Sequence, residues 1–278
     1  MPHPHPTRRG LTGLSLAALC ASPARAADWV EPLFRRVASP GREKRIALTL
    51  DACAGAFDAR IAQGLVEQGA RATIFLTGRW IRANPEGLAF LRAHPHLFTF
   101  ENHGARHLAA ILGTGTMYGL SIAGTPEAVR QEVEDGAKAI RAATGHQPGW
   151  YRGATGRYSP EVLGDIGRLG HRIAAWSLNA DAGASLPAAA VAARLGKAQD
   201  GEVILGHVNH PERASGEGIV AGVAALRRAG FAFVDLDTLV SPDAPLGAPS
   251  GAAPEGGQRD DRPLPLMPFG RSFFPRAV

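Results

Sequence analysis

The sequence lacks several features that would mark a particular class of protein. It has only two cysteines, Cys20 and Cys53, in 278 residues, which excludes a disulfide framework. No apolar run reaches the roughly 18 residues that a conventional membrane-spanning helix needs. The formal charge of +5 is too small and too scattered to indicate nucleic-acid binding. The rest of the composition, 45% hydrophobic and 20% charged, is typical of a globular domain of moderate size.

The N-terminal segment has the pattern of an export signal. Residues 1–26 combine basic residues at positions 8 and 9, an apolar core, and a small-x-small cleavage site at positions 24–26. Two consecutive arginines after Thr7 favour the twin-arginine type of signal, although ordinary secretory signals can also carry them. We therefore expect a periplasmic or secreted mature protein that begins at Ala27 and has no transmembrane span.

The C-terminal segment is also set apart by its composition. Residues 241–278 are rich in proline, glycine and alanine, so we predict a disordered tail that cannot bury enough apolar area to fold. Residues 27–43 form a predicted N-terminal extension, and residues 44–240 form the predicted folded domain. The chain between the two ends, residues 27–240, carries 23 basic and 21 acidic residues, so it is nearly neutral.

The folded part alternates short apolar runs with longer amphipathic stretches, which predicts an α/β fold with a parallel barrel or open parallel sheet. The predicted strands cover 45–50, 73–76, 149–152, 172–176, 203–205 and 231–236, and the predicted helices cover 59–68, 84–94, 125–144, 159–170, 188–197 and 218–229. In such folds the chemistry lies at the carboxyl ends of the strands.

Three polar residues come at or just after the ends of predicted strands: Asp51, Arg152 and His207. Asp51 is either a base or ligand at the mouth of the sheet or the cap of a turn. Arg152 could fix the orientation and ionisation of a carboxylate, or it could be an exposed loop arginine. His207 could act as a general acid near neutral pH, or it could be a hydrogen-bonded residue at the rim.

Two histidines four residues apart, His103 and His107, form a second kind of candidate. On one side of a helical turn, their imidazoles could chelate one divalent ion, and the alternative is a polar loop at the rim of the sheet. Cys53 is either a small buried residue or a nucleophile, which would need a neighbouring base.

Taken in order, these segments resemble the NodB-type polysaccharide deacetylases, the fourth family of carbohydrate esterases, over about residues 44–240. The family's Thr-Phe-Asp-Asp motif corresponds to Thr49-Leu50-Asp51-Ala52, and its Asn-His-x-x-x-His motif is intact as Asn102, His103 and His107. The Arg-Pro-Pro-x-Gly motif corresponds to residues 152–156, which keep the arginine and the final glycine but neither proline. The last two motifs correspond to Trp176-Ser177-Leu178-Asn179 and Leu205-Gly206-His207.

The resemblance implies a distorted, incomplete (β/α) barrel and a metal-assisted removal of acetyl groups from an acetylated oligo- or polysaccharide. The implied metal is divalent, with zinc first, and the implied metal ligands are His103 and His107. The implied catalytic residues are Asp51 as base, Arg152 as the residue that orients it, and His207 as acid. The backbone N–H of Thr155 is the implied oxyanion donor, and Trp176 and Leu205 are implied to line an acetyl pocket.

One position departs from the family pattern. The second aspartate of the first motif, which serves the family as the third metal ligand, is Ala52 in this chain. The third ligand is therefore open, with Asp51, Cys53, water, Asp181 and His210 as the alternatives. We expect a remodelled metal site. The rival interpretations are a catalytically silent glycan-binding protein on the same scaffold and a hydrolase of another acyl or C–N bond.

Overall fold

The computed structural model of the protein describes residues 29–34, 41 and 43–240. The predicted export signal and the predicted C-terminal tail lie outside the described residues. Of the predicted N-terminal extension, residues 29–34 contact the domain: Val30 forms an isolated bridge with Tyr158, and the ring of Phe34 packs edge-on against Trp150. Within the described residues, no helix is both long and apolar enough to cross a bilayer.

A parallel sheet forms the centre of the domain, as the alternating pattern predicts. Its strands run in the order β8-β7-β3-β2-β1-β10-β9, and β11 pairs with the first residues of β1. The strands are β1 (Lys44–Ala52), β2 (Ala72–Leu76), β3 (Phe98–Asn102), β7 (Trp150–Tyr151), β8 (Arg172–Ile173), β9 (Leu178–Asn179), β10 (Val203–His207) and β11 (Phe231–Phe233). Because β8 and β9 stand at opposite ends of this order, the ring of strands is incomplete, and the predicted distorted barrel is confirmed.

Helices follow most of the strands and cover the sheet. They are α1 (Ala59–Gln68), α2 (Gly78–Ala83), α3 (Pro85–Arg92), α4 (Pro126–Thr144), α5 (Pro160–Arg168), α6 (Ala188–Leu195), α7 (Ser215–Arg228) and α8 (Leu236–Leu239). The predicted ends of α4 are confirmed: the Thr125 hydroxyl accepts a hydrogen bond from Ala128 N–H, and Gly145 ends the helix with a φ of 76°.

Some elements escape the sequence analysis. The pattern does not predict β3, the short helices α2 and α8, or β9. It also does not predict a separate three-stranded sheet of β4 (Ala109–Leu112), β5 (Thr116–Met117) and β6 (Leu120–Gly124), which lies off the barrel. These short elements carry too few residues for a periodic apolar pattern.

Alternation along β1 separates the core from the site. Leu48, Leu50 and Ala52 are completely or almost completely buried and belong to the main apolar cluster of the domain. Thr49 and Asp51 lie on the opposite face, because successive side chains of a strand point to opposite sides of the sheet. This second face holds the polar residues described next.

Candidate active site

The register of the sheet brings the polar strand ends together. Asp51 at the end of β1 stands directly beside His207 at the end of β10. Arg152 follows β7, and its backbone N–H donates to the Asn102 carbonyl at the end of β3. All these strands are parallel, so their carboxyl ends open on the same edge of the barrel.

Arg152 and Asp51 form a buried ion pair. Nη1 of Arg152 donates to Asp51 Oδ1 at 2.7 Å, and both side chains are almost fully buried. The guanidinium also donates to the Thr49 hydroxyl and to the carbonyls of Ala174 and Ala175. Burial by itself would raise the pKa of Asp51, but the charges of Arg152, His103 and His207 hold that pKa below its ordinary value. Asp51 is therefore kept ionised and fixed in orientation.

His103 is positioned by the same arginine. Its Nδ1 lies 2.5 Å from the Arg152 carbonyl oxygen, which can only accept, so Nδ1 carries the proton. Nε2 then faces Asp51 Oδ2 at 3.6 Å and Cys53 Sγ at 3.3 Å. Burial opposes the charged imidazolium, but Asp51 and Cys53 raise the pKa of His103 to about 8. In the neutral tautomer, the Nε2 lone pair is available to a cation.

The expectation of a helical turn for the two histidines is wrong. Residues 103–108 form an irregular loop after β3, and His107 has a φ of 69° in the left-handed region. The two imidazole rings still approach each other, with their centroids 4.8 Å apart. The two histidines are therefore close together, as their four-residue spacing suggested, but a loop and not a helical turn brings them there.

A buried carboxylate that the sequence analysis missed holds this loop in place. Glu132 on α4 is 1% exposed, and its Oε1 accepts from the backbone N–H groups of Arg106, His107 and Leu108 at 2.7–3.1 Å. The signal for it is present in the sequence. Glu132 stands on the face of α4 that is otherwise apolar, beside Val129, Val133 and Ile140, and a charge there needs partners.

Glu132→Ala should loosen the loop that carries His107. The change leaves three backbone donors without their acceptor, and each unsatisfied buried donor costs about 1–3 kcal/mol. We expect zinc affinity, measured by competition with a coloured chelator, to fall by about 10- to 100-fold, as for residues that orient metal ligands. Glu132→Gln keeps an acceptor oxygen, so its loss of zinc affinity should be smaller. The exposed Glu134 of the same helix is the matched control, and an equal loss in Glu134→Ala would contradict this role.

His207 has its own carboxylate partner. The ring Nδ1–H of His207 donates to Asp181 Oδ1 at 2.9 Å, and its backbone N–H donates to Asp181 Oδ2 at 2.7 Å. Burial would lower the pKa of His207, but the Asp181 charge and hydrogen bond raise it well above its usual range. Both oxygens of the fully buried Asp181 accept hydrogen bonds from His207, so Asp181 lies behind His207.

The other candidate residues lie on β10 and on the loops of the domain. Leu205 on β10 is buried and pairs with Thr49 and Asn179. Trp176 is half-buried and packs against Gly156, where a side chain is excluded because a Cβ would lie 2.2 Å from the indole. Thr155 has a φ of 71°, which is strained for a branched residue. His210 lies at the rim, bonded to Glu212.

The donors near the two histidines suit a metal ion. Cys53, His103 and His107 each offer one atom, and these three atoms lie within 4.8 Å of one another. A second group, formed by Asp51, Cys53 and His207, meets the same criterion. Nitrogen and sulfur donors in a partly buried site suit zinc and similar ions, and three protein ligands leave a position open for water or substrate.

Solved structures share this fold. The peptidoglycan deacetylase PdaC from Bacillus subtilis aligns with a TM-score of 0.58 and 20% identity over 71% of this chain and 90% of its own. BA3943, a CE4 family pseudoenzyme from Bacillus anthracis, aligns with a TM-score of 0.56 and 20% identity over 71% of this chain and 66% of its own. A family 4 carbohydrate esterase from Streptomyces lividans aligns with a TM-score of 0.54 and 19% identity, over 68% and 91%.

A comparison by sequence also finds a similarity. No curated protein matches the chain significantly. The family model described as polysaccharide deacetylase matches residues 38–174, a segment that includes Asp51, His103, His107 and Arg152. The resemblance seen in the motifs and the incomplete barrel agree with this match. Residues 38–174 of the chain are therefore similar to the polysaccharide deacetylase family.

Proposed function

We propose that the protein is a metal-dependent hydrolase that removes acetyl groups from an acetylated carbohydrate. The observation that carries the proposal is the arrangement around Asp51. The carboxylate is ionised and fixed by Arg152, with the His103 imidazole on one side and His207 adjacent on the next strand. A scaffold that only bound glycans would have no need for this combination of a buried base, an orienting arginine and an acid.

His103 and His107 are the residues proposed to hold the ion. When bound there, a divalent ion supplies a Lewis acid that polarises the acetyl carbonyl and acidifies the attacking water. Asp51 accepts a proton from that water while the water oxygen bonds to the carbonyl carbon of the acetyl group. The ion pair with Arg152 keeps the carboxylate available for this step.

His207 completes the proton transfers. As the bond between the acyl carbon and the sugar nitrogen or oxygen breaks, His207 donates a proton to the departing atom, and acetate remains. Asp181 accepts a hydrogen bond from Nδ1–H of His207, so the Nε2 side of the imidazole faces away from Asp181 and is the proton donor in this assignment. The Asp181 carboxylate also stabilises the charged imidazolium before transfer.

The walls of the site are assigned from the family resemblance. Leu205 and Trp176 would line a small pocket for the acetyl methyl, and the Thr155 backbone N–H would donate to the developing oxyanion. The strained φ of Thr155 supports this role, since strain of this kind concentrates at functional sites.

A silent glycan-binding protein is the second candidate, and Ala52 is the observation that favours it. A methyl group in the position of a family ligand weakens the expected metal site. The similar fold of BA3943, which is described as a pseudoenzyme, shows that the barrel also occurs without activity. A mutant of BA3943 is described as having restored activity.

Acetate release and glycan binding, measured on the same zinc-loaded sample, separate the two candidates. N-acetylated and O-acetylated oligosaccharides are offered in separate arms, because both linkages are compatible with the site. We expect acetate from one of the two arms. Binding without acetate would overturn the hydrolase and support the silent binder, and the absence of both would overturn both proposals.

We also propose that the protein acts in the periplasm or outside the cell. The support is the export pattern of residues 1–26, with its twin arginines. Fractionation of cells that produce the full chain should place it outside the cytoplasm. Replacement of Arg8 and Arg9 by lysine should retain it inside if the twin-arginine route is used.

A further inference from the structure

The proposed metal site has two histidines and no assigned third protein ligand. The position at which the family resemblance expects one is Ala52, whose side chain is fully buried in the main apolar cluster with Leu50 and Leu76. Because side chains alternate along a strand, position 52 points away from the face that carries Asp51. The third ligand must therefore come from another residue.

Cys53 lies where such a ligand is needed. It comes directly after β1, and its Sγ is 3.3 Å from His103 Nε2. Its sulfur and the nearer nitrogens of His103 and His107 all lie within 4.8 Å of one another. Sulfur and nitrogen ligands of one tetrahedral zinc ion, at bond lengths of about 2.3 and 2.0 Å, stand about 3.5 Å apart. The 3.3 Å between Cys53 Sγ and His103 Nε2 is close to that value.

Each of these three residues is held by a contact outside the group. The Arg152 carbonyl accepts a hydrogen bond from His103 Nδ1–H, and Glu132 accepts one from the backbone N–H of His107. The hydroxyl of Thr77, which caps α2, donates to the Cys53 carbonyl oxygen at 2.6 Å. Such outer contacts are typical of metal centres, because they fix the orientation of the ligands before the ion binds.

The other protein residues named for the third position have partners of their own. Asp51 Oδ1 is paired with Arg152, and Asp51 Oδ2 lies 3.6 Å from His103 Nε2, farther than the 3.3 Å of Cys53 Sγ. Both oxygens of Asp181 are bonded to His207. His210 is bonded to Glu212 at the rim of the site. Among the described residues, the group of three potential ligands that contains both histidines has Cys53 as its third member.

We propose that Cys53 is the third metal ligand and completes a Cys-His-His site. The inference rests on the proposed function, because it uses the same two histidines. A thiolate ligand favours zinc or cobalt over magnesium and manganese, which prefer oxygen. It also leaves Asp51 outside the coordination sphere, where the carboxylate is available as the base.

Cobalt spectroscopy tests the ligand directly. The full chain, freed of metal and titrated with Co²⁺, should develop an intense near-ultraviolet band from thiolate-to-cobalt charge transfer. Cys20→Ser is the matched control, because it leaves Cys53 as the single thiol of the chain, and the band should be unchanged. Cobalt bound without the band, or no cobalt bound, would overturn the proposal.

Two variants of Cys53 sharpen the test. Cys53→Ala should abolish the band and weaken metal binding by more than about 100-fold, since losing even an orienting residue costs about 10- to 100-fold. Cys53→Asp should regain metal affinity without the band, which shows that the site survives the substitution. If Cys53→Ala bound zinc as tightly as the parent chain, Cys53 would not be a ligand.

The test is independent of the proposed function. The cobalt spectrum needs no substrate, so a band without acetate release from any glycan would overturn the hydrolase and support the ligand assignment. Acetate release without the band would support the hydrolase and overturn the assignment of Cys53 as a ligand. Cys53 also lies near His207, whose partner is Asp181, so a thiol nucleophile is the competing role. Acetate release by Cys53→Asp with zinc bound would exclude it.

Discussion

Asp51→Asn should lower the rate of acetate release by about 100- to 10,000-fold, the usual contribution of a positioned general base. The amide has nearly the same shape as the carboxylate and can still accept from Arg152, but it cannot take a proton from water. The rate at saturating acetylated oligosaccharide is the measurement. Activity that survives at the parent rate would remove Asp51 from the mechanism.

Two further measurements on this variant separate its possible roles. Metal content should be unchanged, because Asp51 is assigned as base and Cys53 as ligand. Loss of the metal would instead make Asp51 a ligand. Asp58→Asn is the matched control: Asp58 is also buried and also paired with an arginine, Arg60, but its side chain caps α1. That variant should keep its activity.

Arg152→Met should be the most destabilising single change at the site. Removal of one partner of a buried ion pair leaves the other charge uncompensated and costs about 3–5 kcal/mol. Here the change strands the carboxylate of Asp51 and leaves the Thr49 hydroxyl and two backbone carbonyls without their donor. The free energy of unfolding, from urea denaturation of the metal-free chain, is the measurement.

The control for Arg152 is another arginine that pairs with a carboxylate and stacks on aromatic rings. Arg157 is bonded to Glu31 and lies over Trp29 and Tyr118, but it is partly exposed. A pair of this kind contributes about 0–1 kcal/mol, so Arg157→Met should have a small effect. Equal losses in the two variants would contradict the special place of Arg152. In the double variant Asp51→Asn with Arg152→Met, the loss in the free energy of unfolding should differ from the sum of the losses in the two single variants.

The site residues that lie at strand ends can be predicted from the sequence. Asp51, Arg152 and His207 each come at the end of an apolar run, and parallel strands must bring such positions to one edge. The helix boundaries at Thr125 and Gly145 are equally local, because a cap is made by neighbouring residues. These features can be predicted because they depend on neighbouring residues in the sequence and on the parallel order of the strands.

Features that depend on contacts between distant elements could not be predicted. The expected helical turn at His103 and His107 is a loop, because three of its N–H groups are bonded to Glu132, about 25 residues further along the chain. Asp181 follows the motif of residues 176–179 and is one of the alternative metal ligands in the sequence, but tertiary packing places it behind His207. The side-chain partner of a buried carboxylate is set by packing, and local pattern carries little information about it.

Zinc titration of the metal-free full chain, with acetate release as the readout, is the decisive test of metal-dependent deacetylation. We expect negligible release without metal and a linear rise that stops at a single zinc ion per chain. Magnesium at the same concentration should give much less activity, because the donors are nitrogen and sulfur. Release that is already maximal in the metal-free chain, or a zinc-saturated chain that releases no acetate from any acetylated glycan, would contradict a metal-dependent deacetylase.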